Sequence, residues 1–310
     1  MEGKTSSLPL FEGPEKKVEL VLRKGAKALR SYGEEAWKKV IECAKTKALS
    51  KISNELFCAY LLSESSLFVF DDKVIMITCG RTNLVAGLFA MLDFIDKDDI
   101  DLLIYERKNH NFPSLQPTDF SDDVTCLNKA FPGTALCFGD LNGEHIALFH
   151  INKKYSPQAE DHTLELLFND IDEQARDLFC SGPTHSLDTI RETGIREILP
   201  GFEIDEYLFE PMGYSMNAIK GDEYYTIHVT PQEVGSFVSF ETNHTFKDDL
   251  SETITRVTNI FRPASFNLLF FCNDKGLSLP PQDGFDCAID LRGRLSCGYE
   301  VQFCHYQKES

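Results

Sequence analysis

Three hydroxyls and a carboxylate stand together at Ser63-Glu64-Ser65-Ser66, directly ahead of the apolar run from Leu67 to Phe70. A serine hydroxyl is a latent nucleophile, and the nearest electrophile is the carbonyl of the preceding residue. Beyond a second apolar run lies Cys79, a thiol able to act as nucleophile or proton donor. Ser215 and His228 lie in a later pair of alternating runs. A hydroxyl beside an imidazole can stabilise an oxyanion and move a proton. Each feature also has an ordinary use when taken alone: a strand-entry turn, a small core residue, a local hydrogen bond. Only their joint placement makes chemistry of them.

That placement depends on two hairpins. Asp71-Asp72-Lys73 reads as a three-residue turn between Phe70 and Val74, which sets Ser65 opposite Cys79 on one sheet face. A two-residue Gly221-Asp222 loop and a four-residue loop over Lys220-Gly221-Asp222-Glu223 both set Ser215 opposite His228. One face of this second hairpin carries Ser215, Asn217, Thr226 and His228, and the other carries Tyr214, Met216, Ala218, Tyr225, Ile227 and Val229. The apolar face asks for a core and the polar face for a site.

Around these hairpins, strands are expected at 16–23, twice within 67–79, and at 101–105, 134–138 and 145–151. Others are expected at 205–209, 213–219, 224–230, 236–242, 265–272 and 300–304. Helical spacing predicts helices over 34–48, 83–95, 162–179 and 248–261. Short turns between strands and few helices predict an α+β fold with largely antiparallel sheets, in a single domain over 1–310. No Gly-rich dinucleotide fingerprint is present.

A net charge of −18 argues against nucleic acid and suits a cationic small molecule. The ten cysteines include no C-x-x-C pair and no zinc-ligand spacing, so free thiols in a reducing cytoplasm are expected, with no metal. Met1 to Pro9 lacks an apolar signal core, and the apolar runs are too short to span a bilayer, so no membrane association is expected.

Several long segments, in order, carry a resemblance: "LFEGPEKKVEL" (10–20), "YLLSESSLFVF" (60–70), "ITCG" (77–80), "RETGIREILPG" (191–201), "FEPMGYSMNAIKGDEYYTIHVTP" (209–231) and "SFVSFETN" (236–243). Together they resemble the eukaryotic S-adenosylmethionine decarboxylases. The resemblance implies a four-layer α/β/β/α sandwich. It implies a proenzyme cut between Glu64 and Ser65 into chains 1–64 and 65–310, with Ser65 becoming a pyruvoyl group. That group stands in for pyridoxal phosphate, holding the substrate amine as a Schiff base while CO2 leaves. The product is the aminopropyl donor for spermidine and spermine.

By the same resemblance, Cys79 is the proton donor in decarboxylation, Ser215 and His228 assist processing, and Glu12 and Glu15 lie at the catalytic centre. Phe11 and Phe209 sandwich adenine, with the backbone around Leu62 and Glu64 reading its edge. At Gln232 the family usually has a glutamate that holds the ribose; glutamine still hydrogen-bonds a diol but lacks the charge. Glu19, Asp161, Thr163, Glu165 and Glu241 match a pocket that holds putrescine as activator in some members, although Ile77 stands where some of these have a lysine. A homodimer, or a heterodimer with a paralogue, fits the same family. The alternative function is a weak or inactive regulatory paralogue of the same fold.

Overall fold

A computed structural model describes residues 10–158, 161–182, 185–246, 250–273 and 281–309. Its first sheet contains β1 (Lys16–Leu22), β2 (Ala48–Ser53), β3 (Cys58–Leu62), β4 (Ser65–Val69), β5 (Lys73–Thr78), β6 (Ile100–Lys108), β7 (Gly133–Gly139) and β8 (His145–Ile151). The second contains β9 (Thr163–Ile171), β10 (Glu203–Leu208), β11 (Tyr214–Lys220), β12 (Glu223–Thr230), β13 (Phe237–Thr242), β14 (Pro263–Cys272), β15 (Phe285–Arg294) and β16 (Glu300–Lys308). The strand orders are β2-β3-β4-β5-β1-β6-β8-β7 and β10-β11-β12-β13-β9-β14-β16-β15. Raising each number of the first order by eight gives the second, so the chain lays down one antiparallel topology twice.

The sheets stack with β3 over β11 and β2 over β10. Helices α1 (Glu34–Cys43), α2 (Leu84–Met91) and α3 (Phe120–Ala130) cover the first sheet's outer face, where Trp37, Val40 and Leu88 meet Val18, Leu20 and Met76. Helices α4 (Glu173–Leu178), α5 (Leu187–Arg191) and α6 (Leu250–Phe261) belong to the second sheet; Ile254 and Val257 of α6 pack with Leu166 and Phe168. Between the sheets lie Leu102, Ile104 and Phe138 against Leu269 and Phe303, and Phe68 and Ile77 against Ile219 and Tyr224. This is the expected α+β sandwich of four layers. With both faces of each sheet covered, side chains between the sheets are shielded from water, and polar ones there need partners.

Three sequence expectations change. The segment expected as a helix over 162–179 is strand β9 followed by short α4. Its Leu and Glu residues favour a helix, but Leu164, Leu166 and Phe168 alternate onto the helix-side core, and tertiary burial overrides propensity. The helix expected over 34–48 stops at Cys43, and Ala48 already begins β2. The first hairpin turns on Asp71-Asp72, with Phe70 N–H donating to Lys73 O at 2.8 Å, so Ser65 pairs with Thr78 and not with Cys79. The second hairpin has the expected register, Ser215 opposite His228. Strands β2, β3 and β15 and helices α3 and α5 were not anticipated. Asp248, the expected start of α6, lies outside the described residues.

Candidate active site

Ser65 opens β4 with φ of 103°, a backbone conformation rare for a residue with a side chain. It lies across the 63–64 turn from Leu62, whose own side chain is sealed in the helix-side core. The buried Ser65 hydroxyl donates to Glu15 Oε1 at 3.1 Å. The carbonyl ahead of it, Glu64 O, accepts from Cys79 N–H at 3.3 Å. The Ser65 hydroxyl is near enough to the Cys79 thiol to favour its charged form, although Thr78 is the strand partner of Ser65. Ser63 Oγ contacts Thr46 Oγ1 and Glu64 Oε2, each at 3.1 Å, and fixes the turn before the junction.

The charges around Ser65 are held in unusual states. Burial pushes the Glu15 carboxyl up to about 8, against the pull of the Ser239 hydroxyl. Burial, with the nearby Glu15, pushes the Cys79 thiol far above its ordinary range, so it keeps its proton. Lys16 donates to Thr82 O at 2.9 Å and Gln116 Oε1 at 3.1 Å, and burial brings its ammonium down to about 8.

Ser215 and His228 do come together: Ser215 Oγ is 2.9 Å from His228 Nδ1. Their reach is to Ser66, whose Oγ is 3.1 Å from His228 Nε2 and donates to Asn217 Oδ1 at 2.6 Å. Thr226 Oγ1, 2.9 Å from His228 Nε2, completes the network. Burial holds His228 down to about 3, so its imidazole is neutral. Ser66 was named from sequence only as one hydroxyl of the Ser63–Ser66 knot and given no role of its own. Its position one residue past the junction, opposite a polar strand face, was the available signal.

Glu12 is a clamp on a neighbouring loop. Its buried carboxylate accepts from Asn111 N–H at 2.9 Å and Phe112 N–H at 2.7 Å, and its carbonyl accepts from Gly80 N–H at 2.7 Å. Burial raises its pKa against those hydrogen bonds. The Phe11 ring rests on Gly80, where a Cβ would come within 2.9 Å of it. Phe209 packs on Gly213 and meets Tyr207 edge-on, with ring centroids 4.8 Å apart. Gln232 turns its amide to the Phe11 main chain, and Glu233 is exposed at the surface.

The expected acid pocket exists between the sheets, and it contains a lysine. Glu19, Thr163, Glu165 and Glu241 are buried there with Glu106. Lys17 reaches across from β1 to pair with Glu165, and with Glu241 at 3.0 Å. Tyr224 donates to Glu241 at 2.5 Å and Tyr299 to Asp161 at 2.5 Å. Burial works against the Lys17 charge, but Glu165 and Glu241 carry its pKa well above the ordinary value. The cavity left among Lys17, Glu19, Glu106, Thr163 and Tyr299 is about 10 Å³. Ile77 belongs to the apolar cluster between the sheets.

Comparison with known proteins agrees with this architecture. The family model described as adenosylmethionine decarboxylase matches residues 9–305. An S-adenosylmethionine decarboxylase proenzyme from Xenopus laevis is 36% identical over 94% of this chain and 91% of its own. One from Dictyostelium discoideum is 33% identical over 96% of this chain and 86% of its own. A Trypanosoma brucei AdoMetDC-delta26 monomer structure superposes with a TM-score of 0.63, covering 79% of this chain and 99% of that one at 24% identity, and so speaks for the fold. Taken with the hydroxyl, thiol and imidazole that the two hairpins gather, these matches make the chain a member of the adenosylmethionine decarboxylase family.

Proposed function

We propose that this protein is a self-processing S-adenosylmethionine decarboxylase, cut between Glu64 and Ser65. The observation that carries the reading is the junction itself. Ser65 sits at φ of 103° with its hydroxyl on Glu15, and the Glu64 carbonyl is held by Cys79 N–H. A non-glycine residue in such a conformation stores about 1–3 kcal/mol of strain, which favours rearrangement of the peptide. The Ser65 oxygen bonds to the Glu64 carbonyl carbon, and the bond from that carbon to the Ser65 nitrogen breaks. Glu15 takes the hydroxyl proton and returns it to the departing nitrogen, while Cys79 N–H stabilises the oxygen where negative charge develops. Removal of the Ser65 Cα proton then expels the Glu64 carboxylate from the ester, and hydrolysis of the dehydroalanine left behind, with release of ammonia, gives a pyruvoyl group at position 65.

That group supplies an electron sink for decarboxylation of an α-amino acid. The chain's own residues do the rest. Cys79, kept protonated beside position 65, delivers a proton. The neutral His228–Ser215 pair, acting through Ser66, holds the junction strand during processing. Phe11 and Phe209 offer aromatic faces to adenine and to a sulfonium charge, and the acidic surface favours a cationic substrate. The free cysteines suit a reducing cytoplasm.

Lys17 supports a reading of the acid pocket in which its cation is built in. A cavity of about 10 Å³ has room for one water and not for a diamine, and the Lys17 ammonium occupies the position between Glu165 and Glu241 that a diamine would neutralise. Putrescine is then dispensable. No observation favours the inactive regulatory alternative.

Mass spectrometry of the purified protein tests the main reading. Two chains are expected, 1–64 and 65–310, the larger lacking a free amine at its start, with CO2 released from carboxyl-labelled substrate. A single uncut chain indistinguishable from a Ser65→Ala variant would sink it.

A further inference from the structure

The side chain of Gln232 makes two hydrogen bonds to one residue 221 positions away. Its Oε1 accepts from Phe11 N–H at 3.0 Å and its Nε2 donates to Phe11 O at 2.6 Å. An amide side chain carries a donor and an acceptor side by side in this arrangement, which a carboxylate does not. A carboxylate at 232 would set a second acceptor against Phe11 O. Gln232 is buried, whereas the Phe11 ring is 37% exposed and rests on Gly80 beside Glu64. The main chain of Phe11 is therefore locked while more than a third of the residue stays open to solvent.

From this geometry we infer that Gln232 is a positioning residue: it fixes the Phe11 ring as a platform for the substrate's base, and the ribose has no direct partner at 232. The inference rests on the proposed decarboxylase function, in which Phe11 contacts adenine. The remaining anchors of this segment leave the Phe11 peptide groups to Gln232. Glu12 ties to Gly80 and the 111–112 loop, and Gly13 packs so closely on Phe237 that a Cβ would come within 2.6 Å of it.

The test compares wild type, Gln232→Ala, Gln232→Glu and Phe11→Leu, with S-adenosylmethionine and its 2′,3′-dideoxyribose analogue as substrates. Loss of two hydrogen bonds at a buried position should raise KM about tenfold in Gln232→Ala, with a smaller change in kcat. The factor should be the same for both substrates. In a Phe11→Leu background, Gln232→Ala should add little, because both changes act through one ring. Gln232→Glu should recover toward wild type as pH falls, since a protonated carboxyl regains a donor. Amide exchange across residues 10–13 should speed up in Gln232→Ala. A KM effect seen with the ribose substrate and absent with the dideoxy analogue would show direct ribose contact and overturn the inference. So would unchanged KM and unchanged exchange. A wild-type chain that is cut but releases no CO2 would instead overturn the functional reading, and the exchange measurement would still decide the clamp.

Discussion

At the scale of single residues, burial sets which groups of the site hold a proton. Cys79 is useful as a thiol because burial denies it the thiolate. Cys79→Ala is expected to cut itself normally, since processing uses its backbone N–H, yet to lose about 10²–10⁴-fold in CO2 release, as removal of a general acid does. Intact CO2 release in that variant would exclude the thiol. In the proposed processing step Glu15, raised to about 8 and hydrogen-bonded to Ser65, is the base. Processing should therefore speed up with pH to about 8 and then level off, and Glu15→Gln should be slow and flat; a gel time course over pH 6–9 reads both. The linked stability runs the other way. A carboxyl with a raised folded-state pKa binds its proton more tightly when folded, so stability is lost as pH rises from the ordinary carboxylate range through about 8. Most of these residues were legible as types in the sequence. Their states were not, because a pKa is set by burial, and burial belongs to the packed fold. The role of Ser66 was hidden for a related reason: its partners Asn217 and His228 come from the other sheet.

Among elements, the turns decide. At Gly221-Asp222, where Gly221 has φ of 60°, a two-residue and a four-residue loop give the same pairing, so the register of β11 with β12 followed whichever formed. Asp71-Asp72-Lys73 has no glycine to mark its apex, and the register read there was off by one. Strand β9 hid because its composition suits a helix; what holds it extended is a neighbour on each side, β13 and β14. Lys17 escaped notice in an alternating strand, where a lysine is expected to face water. It points inward and ties β1 to β9 and β13 across the two sheets. Lys17→Ala should cost at least about 3 kcal/mol, because it strands two buried carboxylates. Thermal melts would show the loss, and putrescine should recover part of it in the variant while leaving wild-type melting and activity unchanged. A wild-type response to putrescine would count against the built-in cation.

On the scale of the whole molecule, a cut at Glu64–Ser65 divides the chain without dividing the sheet. Strand β1 of the shorter product lies between β5 and β6 of the longer one, and β3 is paired to β4. The two products should co-elute as one native particle on size exclusion and separate only in denaturant; elution as two particles would refute this interlocking. The four layers themselves were expected from the family resemblance, but the doubling of one strand order was not, since the halves share topology more visibly than they share residues. That doubling places the Gly221-Asp222 turn, between β11 and β12, at the position that Ser63-Glu64 holds between β3 and β4. The two turns are topological equivalents that differ in strain: beside one, positive φ falls on Gly221 at 60°, and beside the other it falls on Ser65 at 103°, so only one of the two equivalent places holds a hydroxyl-bearing residue in a conformation costly to it.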